Sequence, residues 1–104
     1  MDQQPKFARY DVADYLKTED DIAAYLEAVI DEKGDDPALI TKALGAVARA
    51  RNMSALAREV GVTREGLYKA LSGEGDPSFA TVLKLARAMG LQLTFRKAGS
   101  EAVA

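Results

Sequence analysis

The chain contains no cysteine and no histidine. That excludes thiol chemistry, disulfides, a zinc finger and any site built on histidine as base or nucleophile. No metal, no cofactor and no enzymatic activity are expected. A run of about 18 apolar residues, the minimum for a membrane span, is also missing, and the N-terminal MDQQPKFARY has no apolar signal core, so a cytoplasmic location is expected. What remains is a chain of 104 residues, 48% hydrophobic, enough for one modest core and no second. A single domain over 1–104 is the expectation.

Net charge is also scarce, at −2, which looks unsuited to nucleic acid until the chain is divided. Residues 1–45 carry 5 basic and 11 acidic side chains, a net of −6; residues 46–104 carry 9 basic and 5 acidic, a net of +4. A cationic half is the electrostatic footprint of phosphate contact, whereas the acidic half must face away from DNA. Its charge suits either a basic partner or plain solvation of acid-rich helices.

The cationic half holds the most informative stretch, NMSALAREVGVTREGLYKAL, from Asn52 to Leu71. Ala57 is small where two crossing helices would meet. Gly61 can take a left-handed conformation at no Cβ penalty and end the first helix; Val62 then turns inward and Thr63 caps a second helix. Leu56, Val60, Val62, Leu67 and Leu71 make a shared apolar seam. Arg64, Glu65, Tyr68 and Lys69 are left on the outer face near the start of the second helix, where a recognition helix meets the major groove. Arg64 suits bidentate contact with guanine, Glu65 can accept from cytosine or orient Arg64, Tyr68 can touch a thymine methyl or a phosphate, and Lys69 suits a phosphate. The plain alternative is an ordinary helical hairpin with a solvated face. Gly66 weakens the second helix by roughly 1 kcal/mol relative to Ala, either to admit backbone or a base or for no selected reason.

Around this unit the periodicity predicts helices and one strand. Asp11 to Leu16 forms a helical turn that seats Tyr15 and Leu16. Thr18 caps a helix with acidic residues in its first turn, an apolar stripe at Ile22, Tyr25, Leu26, Val29 and Ile30, and a stop near Gly34. Asp36 and Pro37 start another, which runs through Leu39, Ile40, Ala43, Leu44, Val47 and Ala48 to about Arg51. Within it, Gly45 and its alanine neighbours point to close packing, and Arg49 and Arg51 place two cations beside the two-helix unit. After the turn-rich loop Ser72 to Ser78, Ser78 caps a helix from Phe79 to about Met89 with Phe79, Val82, Leu83, Leu85, Ala86 and Met89 facing the core, and Gly90 ends it. LQLTFR then alternates strictly, with Leu91, Leu93 and Phe95 on one side, as a half-buried strand does. A lone strand needs a partner. A second copy of the chain across a two-fold axis supplies one, and the homodimer would set two recognition helices roughly 34 Å apart on a palindromic operator; irregular packing on its own monomer is the alternative. Residues 1–9 are read as loose and 97–104 as a disordered tail.

The run ALGAVARARNMSALAREVGVTREGLYKALSGEGDPSF, continued by LSGEGDPSFATVLKLARAMGLQLTF and preceded by TEDDIAAYLEAVIDEKGDDPALITKALGAVARARNMS, resembles the HigA-like antitoxins of the Cro/C1 (XRE) helix-turn-helix class, in the small addiction module antidote group. The resemblance covers roughly residues 10 to 96. It implies an all-α, lambda-repressor-like bundle with acidic N-terminal helices over 10–51, the helix-turn-helix core over 52–90 and the dimerisation strand over 91–96. It also implies repression of the chain's own operon and neutralisation of a RelE/HigB-like toxin protein. By position it implies DNA contact from Thr63, Arg64, Glu65, Tyr68 and Lys69, with phosphate anchoring at Asn52 and Ser54. Met53 departs from the glutamine common in the wider class, which removes one hydrogen bond next to the bases. Because such toxins act on RNA and are basic, the acidic helices, through Glu19, Asp20, Glu27 and Asp31, are the expected toxin surface. A stand-alone XRE-type regulator with no toxin partner is the competing reading.

Overall fold

Residues 12–98 are described by a computed structural model. The looseness expected of residues 1–9, the start of the first turn at Asp11 and all but the first two residues of the tail expected to be disordered over 97–104 lie outside the described residues. A 3-10 turn, Val12–Tyr15, precedes five helices: α1 Glu19–Lys33, α2 Pro37–Arg51, α3 Met53–Val60, α4 Arg64–Ala70 and α5 Phe79–Ala88.

Each helix starts on a side chain that satisfies amides otherwise left without an intrahelical partner. Thr18 Oγ1 accepts from the Asp21 amide at 3.1 Å while Asp21 Oδ2 accepts from the Thr18 amide at 3.1 Å, a reciprocal capping box. Asp36 accepts from the Ala38 amide at 3.0 Å, and Pro37 follows at the first helical position. Asn52 closes α2 through its amide and opens α3 by accepting from the Ala55 amide at 3.0 Å. Thr63 and Ser78 cap α4 and α5, accepting from the Gly66 and Thr81 amides at 2.9 Å and 3.1 Å.

The core draws one or more side chains from every helix. Leu16, Ile22, Val47, Leu56, Ala57, Val60, Leu67, Leu71, Leu85 and Met89 are buried in a single cluster. Helix α4 has seven residues, too few to be stable alone, and Leu67 is its buried side chain. Burying it supplies about 1.5–3 kcal/mol, so Leu67 and the following Leu71 hold α4 in place. At Gly61 the backbone takes φ 91°, left-handed, and the Ala57 carbonyl accepts from both the Gly61 and the Val62 amides. Helices α3 and α4 are thereby joined across a three-residue turn, 61–63. Gly45 of α2 packs against Leu71, the residue just past the end of α4. A Cβ there would lie 2.7 Å from the Leu71 carbonyl oxygen, which is the close packing that the small residues around it predict.

Four apolar residues expected inside are outside. Val62 is 41% exposed, because the hydrogen-bonded turn closes on the Ala57 carbonyl without turning its side chain in. Tyr15 is exposed while its neighbour Leu16 is buried; Ile30 and Phe79 are also exposed, one in the last turn of α1 and one at the first position of α5. The expected strand over 91–96 is absent, and among the described residues no strand forms. Leu91 packs against the core, its amide donating to the Ala86 carbonyl at 2.9 Å, but Leu93 is 41% and Phe95 86% exposed. A strand requires a ladder, and among the described residues no other segment is paired with this one.

Candidate nucleic-acid interface

With Leu67 turned into the core and about 100° of rotation per residue, Arg64, Tyr68, Glu65 and Lys69 follow one another around the outward arc of α4. All four are exposed. The cap sets their presentation. Thr63 has extended backbone, φ −76° and ψ 158°, so the chain enters α4 with Arg64 already in the first turn. Gly66 has a local reason to be glycine, since a Cβ there would lie 2.9 Å from the capping Thr63 Oγ1.

Two adjoining open clefts lie beside this arc. One, of about 330 Å³, is lined by Arg49, Asn52, Met53, Ser54, Arg64 and Tyr68. The other, of about 250 Å³, is lined by Lys42, Gly45, Arg49, Met53, Tyr68, Leu71 and Ser72. They share Arg49, Met53 and Tyr68. Of the seven residues expected at DNA, the first cleft gathers Asn52, Ser54, Arg64 and Tyr68, while Thr63, Glu65 and Lys69 are exposed but line neither. Three cationic side chains and no carboxylate line the two clefts.

Two of the expected contacts have structural work as well. Asn52 Oδ1 and Thr63 Oγ1 both accept cap hydrogen bonds, so Asn52 has only its amide nitrogen left to offer an anion. Met53 is 7% exposed and belongs to the core cluster while lining both clefts. An apolar thioether fits that position without the hydrogen-bond partners that a buried amide would need.

The arginines at the end of α2 separate. Positions 49 and 51 are about 200° apart on a helix; Arg49 enters the clefts, and Arg51 reaches Glu19 at 4.0 Å. That exposed ion pair is worth little energy, but it shows where Glu19 points. The Glu19 carboxylate also lies against Gly90, where a Cβ would come 2.5 Å from its Oε2. Glu19 is thus engaged between the ends of α2 and α5. Asp20, Glu27 and Asp31 fall within about 40° of one another on the exposed outer face of α1. Three of the four acidic residues expected at a partner share a face, and the fourth is turned away.

Sequence reading missed Lys42 and Ser72. The signal was the spacing 42, 45, 49, which puts Lys42 and Arg49 on the same face as the glycine of the close approach.

The family model described as a probable addiction module antidote protein matches residues 6–97. A protein of Haemophilus influenzae, described as uncharacterized, is 54% identical over 83 residues, covering 80% of this chain and 84% of its own length. No solved structure matches.

Proposed function

The chain belongs to the family of probable addiction module antidote proteins, which implies a toxin as partner, and from that premise we propose that it is a DNA-binding antitoxin of the cytoplasm. In this reading it represses its own operon and neutralises a RelE/HigB-like toxin. The observation that carries the DNA half is the cleft that gathers Asn52, Ser54, Arg64 and Tyr68, with Arg49, beside the exposed outward arc of α4. Arg64 and Glu65 read base edges, and Lys69, Ser54 and the Asn52 amide hold phosphates.

The toxin half rests on charge. Asp20, Glu27 and Asp31 form an acidic stripe on α1, suited to a basic RNA-binding surface. A binding role, not an enzymatic one, agrees with the carboxylates that form pairs in sequence: Asp21 and Asp36 are spent on helix starts. The operator-binding species is a homodimer in which Leu91, Leu93 and Phe95 pair with those of a second copy; the exposure of Leu93 and Phe95 supports this. Among the described residues no helix is long and apolar enough to cross a membrane.

The test is co-expression with the neighbouring gene, followed by a pull-down and by titration of the complex with DNA from upstream of the operon. A co-purifying basic protein whose growth inhibition is relieved by this chain is the expected result. Sequence-selective DNA binding with no such neighbour would leave a stand-alone regulator instead.

A further inference from the structure

The second cleft extends beyond the residues assigned above to DNA. Its cations, Lys42 and Arg49, belong to α2 and not to the two-helix unit. They are two turns apart on nearly the same line of that helix, separated by about 10.5 Å of helical rise. Between them lies Gly45, whose missing side chain lets α2 rest on the Leu71 carbonyl. That contact sets the α2 backbone that carries both cations beside the end of α4. Tyr68 of α4 borders both clefts and makes them continuous.

Lys42 is also held along its length. At Gly73, φ +97°, a Cβ would fall 2.7 Å from Lys42 Cγ and 3.0 Å from its Cδ and Cε. The lysine stem therefore lies across the bare side of this left-handed glycine. A stem already laid down loses less freedom when its ammonium group engages an anion. The turn beneath it is itself braced, since Ser72 Oγ donates to the Lys69 carbonyl at 2.9 Å and accepts from the Glu74 amide at 3.3 Å.

We propose that Lys42 and Arg49 form a phosphate-binding track on α2 that holds the sugar–phosphate backbone of duplex DNA alongside the recognition helix. The inference rests on the DNA-binding reading of α4 and adds to it. The track has no base-reading function. It contributes affinity equally to all sequences, releases counterions and fixes the angle at which α4 enters the groove.

The experiment uses the full chain and its Lys42→Gln, Arg49→Gln, double Gln and Arg49→Lys variants, with folding checked by circular dichroism. Each is titrated by fluorescence anisotropy against a duplex from upstream of the chain's own gene and a mixed-sequence duplex of equal length, over a salt series from about 50 to 200 mM. Each Gln substitution is expected to flatten the slope of log affinity against log salt by about 0.9, and the double variant by about 1.8. Both duplexes should weaken by the same factor, so the preference for the upstream sequence persists, and Arg49→Lys should keep the wild-type slope. The inference is overturned if the double variant keeps the wild-type slope while Arg64→Ala still lowers preference for the upstream duplex. If the wild-type chain binds neither duplex, the DNA reading falls first and the track with it.

Discussion

Among single residues, the arginine that opens α4 and the glycine that precedes it have separable jobs. Arg64 is exposed at the edge of the cation-lined cleft, so Arg64→Ala should cost about 1–3 kcal/mol of affinity for the upstream duplex and relax base choice at one position. Lys69→Ala, in contrast, should weaken binding to all sequences and reduce the salt slope by about 1; competition titrations distinguish the two. Gly61 touches nothing within 4 Å where a Cβ would be, yet has φ +91°. Gly61→Ala therefore carries backbone strain alone and should lower unfolding stability by about 1–2 kcal/mol, with Gly61→Asn costing less, as read by urea denaturation. The caps at Thr18, Asp36, Asn52, Thr63 and Ser78 were legible in sequence because a cap is a local hydrogen bond between residues two or three apart. The exposure of Val62, Tyr15 and Phe79 was not, because an apolar residue next to a turn goes in or out according to what the rest of the chain places there.

At the scale of elements, α4 depends on its neighbours. Seven residues with one buried side chain cannot hold a helix alone, so Leu67→Ala should cost about 2–5 kcal/mol. Hydrogen exchange should show the amides of α4 opening at a lower free energy than those of α2. Gly45→Val should cost about 1–3 kcal/mol through overpacking, because its Cβ meets the Leu71 backbone, which cannot rotate away as a side chain can. The start of every helix followed from its cap, and the ends of α1 and α3 from the glycines at 34 and 61. The last segment did not become a strand, since alternation at Leu91, Leu93 and Phe95 describes what a strand would bury without supplying the second strand that makes one. The cation track was harder still to see: Lys42 is twenty-two residues before Arg64, and only folding α2 over the end of α4 brings both to Tyr68.

For the whole molecule, charge is divided between two surfaces, and the division follows the sequence halves except at Lys42, which comes from the acidic half. Lys42, Arg49 and Arg64 border the clefts, while Asp20, Glu27 and Asp31 share the outer face of α1. Helix α2 touches both regions, with Arg49 in the clefts and Arg51 at Glu19. Removing residues from Leu91 onward should convert the proposed dimer to a monomer in light scattering, and an unchanged mass would remove strand pairing from the account. Anisotropy titration of the purified chain decides whether the face built on α4 is an operator-binding surface. The two probes are the duplex upstream of its own gene and a mixed-sequence competitor. Saturable binding with a clear preference for the upstream duplex, lost in Arg64→Ala, is the expected result. Equal affinity for both duplexes, unchanged by Arg64→Ala, would contradict it.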